Sequence, residues 1–153
     1  MVEINKYIDA LIANNGSDLH LSAGNAPLVR ISGELIPLTN FGVPTNDDLL
    51  ALLREMLSEK MLKEFIENQE KDFAYNYDDN RLRGNAFVQK GKYAVALRLI
   101  PKVKSLDELA LPKILEIFAM ARQGFFLVVG PVGQGKTTTL ASMIELINQR
   151  RAA

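Results

Sequence analysis

The chain has 153 residues, of which 48% are apolar and 24% charged, a composition typical of a globular protein and not of a disordered one. It contains no Cys and one His, which excludes disulfides, cysteine-bound metals and a His-rich zinc site. Lys and Arg number 18, as do Asp and Glu, and this balance argues against a generally basic protein that coats nucleic acid.

The zero net charge is the sum of two oppositely charged halves. Residues 1–80 carry 14 acidic and 6 basic side chains, whereas residues 81–153 carry 4 acidic and 12 basic ones. This asymmetry indicates either a charged partner or two ordinarily solvated surfaces. No segment approaches the ~20 apolar residues of a membrane span, and the N-terminus lacks a signal-peptide pattern. We therefore expect a cytoplasmic protein without a transmembrane segment.

Apolar spacing over residues 1–100 predicts an α+β domain with an antiparallel sheet. A period of 3.6 indicates helices, and alternation indicates strands. Lys90-Gly91 predicts a tight turn between the last two strands. The predicted elements, in chain order, are a helix over 3–14, a strand over 17–22, a hairpin of 28–31 with 35–38 around Ser32-Gly33-Glu34, helices capped by Thr45 and Ser58, and strands over 73–77, 82–88 and 93–100.

The strand over residues 17–22 contains the single histidine. Alternation places Leu19 and Leu21 on one face and Asp18 and His20 on the other. Because the chain has no Cys or second His to complete a catalytic group, we interpret His20 as a strand histidine hydrogen-bonded to Asp18 or to backbone. We likewise interpret Asp72, Asp78 and Asp79 as strand-end or turn residues and not as metal ligands.

A change of pattern follows residue 100. Residues 101–111 begin with proline and predict a linker. A helix over about 112–122 follows, with apolar side chains at Ile114, Leu115, Ile117 and Phe118. Residues 124–129 then form a continuous apolar run, which is typical of a strand buried on both faces of a parallel sheet.

A phosphate-binding motif follows that run directly: Gly130-Pro131-Val132-Gly133-Gln134-Gly135-Lys136-Thr137. It fits the P-loop pattern at every constrained position. The glycines let successive backbone N–H groups turn toward a phosphate, Lys136 supplies a positive charge, and the Thr137 hydroxyl suits Mg²⁺. A helix beginning at Thr138 adds its N-terminal N–H groups. The motif predicts nucleotide phosphate binding; the alternative is a Gly-rich turn without a ligand.

Three arginines share a face of the predicted hairpin over residues 81–100. A two-residue turn places all three on one face in either of two registers: a turn at Lys90-Gly91 pairs Arg83 with Arg98, and a turn at Gly91-Lys92 pairs Asn85 with Arg98. A one- or three-residue turn moves Arg98 to the other face. Like charges opposite each other are unfavourable unless an anion or an acid lies between them. Arginine suits phosphate because its fork is planar and always charged. A phosphate-binding face and arginines that are solvated or paired with the acidic half both remain open.

Several segments together carry a family resemblance: SDLHLS at 17–22, PLVRISGEL at 27–35, DFAY at 72–75, RLRGNAF at 81–87, ALRLIP at 96–101, and the P-loop with TTTL at 137–140. In this order they resemble the PilT family of type IV pilus retraction ATPases, in the secretion ATPase superfamily. The resemblance implies a PAS-like domain over 1–100, a linker over 101–111, and the start of a RecA-like ATPase domain over 112–153.

The same resemblance implies a function in twitching motility. The family hydrolyses ATP with Mg²⁺ as a hexameric ring, in contact with an inner-membrane pilus platform protein, at the inner face of the bacterial inner membrane. It implies no nucleic-acid partner. In this chain the catalytic positions would be Lys136 of the P-loop and three arginine fingers that reach a nucleotide within the ring, Arg81, Arg83 and Arg98.

Two features depart from the family pattern. Val132 and Gln134 stand where the family commonly has Thr and Ser. The acidic box, the Walker B strand and the His box of the family lie downstream of the residues present. We therefore expect a fragment of a longer protein, or nonstandard packing of residues 102–153, and no ATP turnover by this chain alone.

Three other functions are open to the same sequence. A pilus-assembly or type II secretion ATPase is disfavoured because the first strand already begins at residue 17. A non-catalytic oligomerisation module would carry a vestigial P-loop. An unrelated P-loop kinase or GTPase is disfavoured by the α+β domain that precedes the motif.

Overall fold

The computed structural model describes residues 3–151, which divide into two compact units. The N-terminal unit is Met1–Pro101 and the C-terminal unit is Lys102–Ala153. None of the helices within residues 3–151 is long and apolar enough to cross a membrane.

The N-terminal unit is a six-stranded antiparallel sheet with helices packed on one face, which confirms the predicted α+β class. The spatial order of the strands is β3-β2-β1-β6-β5-β4, so strands from both ends of the unit meet in the middle of the sheet. The elements are α1 Ile4–Ala13, β1 Asp18–Ser22, β2 Leu28–Ile31, β3 Glu34–Pro37, a 3₁₀ turn Thr39–Phe41, α2 Asn46–Met56, α3 Glu59–Asn68, β4 Glu70–Tyr77, β5 Asn80–Gln89 and β6 Lys92–Ile100.

Alternation along the strands gives the sheet one apolar and one polar face. The apolar face packs against the helices and is fully buried at Leu19, Leu82 and Leu97. The helices contribute their apolar stripes to the same core, with Leu52 of α2 and Phe65 of α3 at 0% exposure. Burial of this area supplies the main favourable free energy of the unit, and it leaves the opposite face of the sheet to polar side chains.

The turn between β5 and β6 fixes how these two strands pair. Lys90 and Gly91 have φ values of 52° and 73°, the left-handed conformation of a two-residue hairpin turn. Gln89 consequently pairs with Lys92, and Arg83 lies directly opposite Arg98. The predicted turn at Lys90-Gly91 is confirmed, and the structure selects the first of the two registers that the sequence left open. The first hairpin differs by one residue, because its turn is Ser32-Gly33 alone and Glu34 begins β3.

Both predicted helix N-caps are confirmed. The Thr45 hydroxyl accepts a hydrogen bond from the Asp48 backbone N–H at 3.2 Å, while the Asp48 carboxylate accepts one from the Thr45 backbone N–H at 2.8 Å. This reciprocal pair is a capping box at the start of α2. The Ser58 hydroxyl accepts from the Met61 N–H at 3.4 Å at the start of α3.

The C-terminal unit contains two helices within residues 102–151, α4 Ile114–Met120 and α5 Lys136–Arg150. Its small core consists of Leu106, Ala119 and Met143. Within the segment 101–111, which the sequence predicts as a linker, residues 106–110 form a turn and Leu106 is buried. Reciprocal bonds between Ser105 and Glu108, at 2.7 and 3.2 Å, hold this turn.

The predicted helix over about 112–122 is shorter in the structure and mostly uncovered. Three of its apolar side chains are exposed, with Ile114 at 50%, Ile117 at 67% and Phe118 at 47%. Amphipathic spacing predicts a helix correctly, but the stripe is buried only where the chain provides a surface to pack against.

The predicted strand over residues 124–129 is wrong. These residues form no strand, and Phe125, Leu127 and Val129 are 89%, 65% and 81% exposed. The physical reason is that a strand of a parallel sheet needs neighbouring strands to pair its backbone N–H and C=O groups, and residues 102–151 contain none. Phe126 instead stacks on Phe118, with ring centroids 5.0 Å apart.

Candidate functional site

The P-loop lies between the uncovered segment 124–129 and the first turn of α5. Three of its glycines, Gly130, Gly133 and Gly135, have φ values of 155°, 87° and 77°, which a residue with a side chain rarely adopts. Gly135 is the N-cap of α5 and makes no side-chain capping bond. The first N–H groups of α5 therefore have no side-chain cap, which is the arrangement that receives an anion at a helix N-terminus.

Lys136 is the first residue of α5, and its side chain turns back across the loop. Its Nζ donates a hydrogen bond to the Pro131 carbonyl at 2.5 Å, so the ammonium lies within the loop. Thr137 and Thr138 are exposed at the start of the helix, whereas the Thr139 hydroxyl donates to the Gly135 carbonyl at 3.0 Å. The two residues that depart from the family pattern are also exposed, and Val132 is 97% accessible.

The arginines lie in the N-terminal unit, on the polar face of its sheet. Arg83 is directly opposite Arg98, and Arg81 is opposite Ile100, so the three arginines share one face. We call this surface the arginine face. The side chains of Arg83 and Arg98 are 71% and 72% exposed. With Asn85 and Ala96 they border a shallow depression of about 270 Å³.

Two of the three arginines have acidic partners, as one of the two open interpretations predicted. Arg98 Nε donates to Asp18 Oδ1 at 2.7 Å, and Arg83 Nη2 is 3.5 Å from Asp72 Oδ2. Within residues 3–151 no ion pair is found for Arg81. An acid beside each of Arg83 and Arg98 explains how these like charges tolerate direct opposition across the ladder.

Asp18 is the partner that sequence reasoning missed. Its side chain is 9% exposed, and its second oxygen, Oδ2, accepts a hydrogen bond from the Ser17 hydroxyl at 2.7 Å and lies 3.5 Å from Arg30 Nε. Burial by itself raises the pKa of Asp18, but the hydrogen bonds from Ser17 and Arg98 and the charge of Arg98 hold it below its ordinary value. The carboxylate is therefore ionised at neutral pH.

His20 is a strand residue as predicted, but the predicted hydrogen bond from its side chain to Asp18 or to backbone is not found among residues 3–151. Its Nε2 is buried and has no hydrogen-bond partner among residues 3–151. The oxygens of Asp18 are already taken by Ser17, Arg30 and Arg98. Burial lowers the pKa of His20, and although the charge of Asp18 opposes this, Arg30 and Arg98 add to it. A neutral His20 follows, with no partner of its own for acid–base chemistry.

One signal could have identified the acids. Asp18 alternates with the buried leucines of β1, and Asp72 alternates with Phe73 of β4, so both had to lie on the polar face of the sheet. Which strand neighbours β1 cannot be deduced from alternation, because Asp18 and Arg98 are 80 residues apart. No cluster of three or more His, Asp or Glu side chains that could hold a metal is found in the described residues.

No protein-family model matches the chain. Curated proteins do: the chain is 32% identical over 152 residues to the type IV pilus retraction ATPase PilT of Pseudomonas aeruginosa, 33% over 150 residues to the type IV pilus ATPase PilU of the same organism, and 38% over 144 residues to the Escherichia coli protein YggR. These alignments include 98%, 97% and 93% of this chain but 44%, 39% and 43% of the relatives. The chain thus spans less than half the length of these relatives.

Solved structures give the same result. The crystal structure of the pilus retraction motor PilT with bound ADP superposes with a TM-score of 0.80 at 37% identity, over 99% of this chain and 45% of that one. The ATPase DotB of Legionella pneumophila superposes with a TM-score of 0.68 over 92% of this chain and 41% of its own, at 23% identity, which shows a shared fold alone.

Proposed function

We propose that this chain, which matches over nearly its whole length the N-terminal portion of PilT-type secretion ATPases, provides the ATP-binding loop of a type IV pilus retraction motor. The observation that carries the proposal is the P-loop itself, three positive-φ glycines that lead directly into α5. The similar solved PilT structure contains ADP, which supports a nucleotide as the ligand. The proposed cofactors are ATP and Mg²⁺.

In this proposal the P-loop holds the phosphates by backbone and charge. Backbone N–H groups of the loop donate to phosphate oxygens, and Lys136 exchanges the Pro131 carbonyl for a phosphate oxygen, a stronger, charge-assisted bond. The Thr137 hydroxyl, exposed at the first turn of α5, is the proposed Mg²⁺ ligand. Bound Mg²⁺ neutralises charge on the phosphates. The proposed site comprises Gly130, Pro131, Val132, Gly133, Gln134, Gly135, Lys136, Thr137 and Thr138.

The arginine face is the second proposed contributor to catalysis. Arg81, Arg83 and Arg98 would act as arginine fingers, which stabilise the negative charge that develops during phosphoryl transfer. Their exposure supports this role, because a guanidinium that is more than two-thirds accessible can bind an incoming anion without first leaving a core.

The rest of the proposal concerns the whole ATPase. The six-stranded unit would be its PAS-like domain, and the chain from residue 112 would begin its RecA-like domain. The motor would be a hexameric ring at the inner face of the bacterial inner membrane, bound to the pilus platform protein and to no nucleic acid. Without Walker B and the catalytic glutamate, these 153 residues alone would bind ATP and not hydrolyse it.

A second candidate is a non-catalytic oligomerisation module, favoured by the acidic partners of Arg83 and Arg98. Arginines that serve only to balance Asp72 and Asp18 have no role in turnover. A pilus-assembly or secretion ATPase is the nearest catalytic alternative, and it would use the same P-loop.

The first experiment measures ATP binding by this chain in the presence of Mg²⁺, by isothermal titration calorimetry. We expect Lys136→Ala to weaken binding by at least about tenfold, because it removes a charge-assisted bond to phosphate. Lys113→Ala is the matched control, since that lysine is exposed in the same unit outside the loop. Unchanged affinity in the Lys136 variant would reject the P-loop assignment, and steady hydrolysis by this chain would reject its predicted inactivity.

The second experiment separates the motor from the oligomerisation module. In the full-length ATPase, Arg83→Ala or Arg98→Ala should leave ATP binding largely intact and lower turnover by ~10³-fold or more, the usual value of an arginine finger. Arg54→Ala, at an exposed position of α2, is the matched control. Wild-type turnover in both arginine variants would favour the module.

A further inference from the structure

A single buried acid, Asp18, lies beside the arginine face, on the strand next to that of Arg98. Among the charged side chains of residues 3–151, only that of Asp18 belongs to a buried residue, with 6% of the residue exposed. It stands on β1 directly opposite Arg30 of β2 on one side and Arg98 of β6 on the other. Burying a carboxylate is costly, so its presence here requires partners that satisfy both oxygens.

The two oxygens of Asp18 have separate partners. Oδ2 accepts the Ser17 hydroxyl at 2.7 Å and faces Arg30 Nε at 3.5 Å. Oδ1 accepts Arg98 Nε at 2.7 Å. Ser17 and Arg30 can therefore keep Asp18 ionised and in place while Oδ1 remains available to Arg98.

Arg98 contacts Asp18 through Nε and not through a terminal amino group. Bonding through Nε fixes the guanidinium plane and leaves the two terminal amino groups without a hydrogen-bond partner among the described residues. With Nε engaged by Asp18, the two terminal amino groups form an end-on fork that can bind two oxygens of a carboxylate or phosphate. The bond satisfies Oδ1 of the buried carboxylate and at the same time restrains the orientation of the exposed guanidinium.

We propose that Asp18 is a positioning residue, which holds Arg98 through Nε so that its terminal amino groups are presented to a phosphate oxyanion. Arg30 and Ser17 contact Oδ2 of Asp18, the oxygen that Arg98 does not use. The inference rests on the proposed role of the arginine face in nucleotide binding and adds the group that orients it. Asp72, which is 63% exposed and 3.5 Å from Arg83, holds its arginine much less firmly.

Two explanations predict opposite changes in anion affinity when Asp18 is replaced by Asn. Replacing an acid next to an anion site removes repulsion, so simple electrostatics predicts tighter anion binding by Asp18→Asn. Positioning predicts the opposite, because Arg98 then has to be ordered when the anion binds. Asp72→Asn is the matched control, since it removes the same charge from the partner of the other arginine.

The experiment titrates inorganic tripolyphosphate into this chain, with Lys136→Ala as the background so that the P-loop does not compete. The arginine Nε–H signals in ¹⁵N NMR spectra report the binding. We expect saturable shifts of the Arg98 signal, a loss of about three- to tenfold in affinity for Asp18→Asn, and unchanged or tighter binding for Asp72→Asn. Tighter or equal binding by Asp18→Asn, or no binding in the background variant, overturns the proposal.

A second pair of variants guards against a folding defect in Asp18→Asn. Arg98→Lys retains the charge but lacks the Nε anchor and the fork, and Ser17→Ala releases the second oxygen of Asp18. Both should weaken tripolyphosphate binding in a folded chain, and wild-type affinity in both overturns the proposal. ATP binding by the chain with Lys136 intact is measured separately, so a failed P-loop and a failed arginine face give different results.

Discussion

The two units of this protein show what an apolar pattern achieves with and without partners. In the N-terminal unit, Phe65 of an amphipathic helix is fully buried against a six-stranded sheet. In the C-terminal unit, Phe125 belongs to a more continuous apolar run, yet it is 89% exposed. Hydrophobicity drives burial, but burial occurs only when neighbouring strands or helices complete a core.

The helices show the same contrast. Helix α2 buries Leu49, Leu52, Leu53 and Met56, whereas Ile117 of α4 is 67% exposed. Both helices follow apolar spacings that predict an amphipathic helix. The difference lies in the surface opposite the stripe, which is extensive in the N-terminal unit and small in the C-terminal one.

The largest expected effect is in a matched pair of truncations. Phe65→Ala should destabilise the N-terminal unit by about 3–5 kcal/mol, because it leaves a cavity in a closed core. Phe125→Ala should change stability by less than about 0.5 kcal/mol. Urea titration measures the free energy of unfolding of both variants. Unfolding is monitored by near-UV circular dichroism of the four tyrosines, which all lie in the N-terminal unit, and by far-UV circular dichroism of the helices. Comparable losses would contradict the contrast.

A smaller effect should result from overpacking the sheet. A Cβ at Gly84 would lie 2.3 Å from the ring of Phe73, its partner on β4. Gly84→Ala should therefore cost about 1–3 kcal/mol in free energy of unfolding. Adding Phe73→Leu should restore part of that loss by freeing space, whereas Asn85→Ala, on the polar face, should have little effect. Full stability of Gly84→Ala would show that this contact is not tight.

The capping box at α2 provides a third, smaller effect. Thr45→Ala removes the bond that the hydroxyl accepts from the Asp48 N–H and the one that it donates to the Asp48 carboxylate, and should destabilise the N-terminal unit by about 1 kcal/mol. Ser58→Ala should cost less, because its bond to Met61 is longer, at 3.4 Å. Thermal unfolding of the two variants compares the caps, and an equal or reversed order would contradict the geometry.

The smallest effect concerns pH. Because burial holds the pKa of His20 below 6.5, the unfolded chain takes up the proton more readily than the folded one. The stability that a neutral His20 contributes is complete above pH 6.5 and declines as the pH falls toward the folded pKa. The chain has one histidine, so His20→Gln should remove most of the change between neutral and mildly acidic pH. An unchanged profile in urea titrations would exclude His20 as its source.

Much of the fold could be predicted because the signals are local. The 3.6-residue spacing located α1, α2 and α3, and Thr45 and Ser58 marked helix starts because a hydroxyl there bonds an N–H three residues away. The two-residue turn likewise limited the hairpin to two registers, of which the structure has the one that brings Arg83 opposite Arg98. The P-loop could be identified because its glycines, lysine and threonine are contiguous in the chain.

The sequence by itself determined where the helices and hairpins of the N-terminal unit lie, and it predicted the P-loop motif. Only the tertiary structure decided that β1 lies beside β6, which places Asp18 under Arg98 across 80 residues, and that residues 124–129 remain uncovered. The physical reason is the same in both cases. Local chain geometry selects an element, whereas the neighbour of a strand depends on free energies that the whole core contributes.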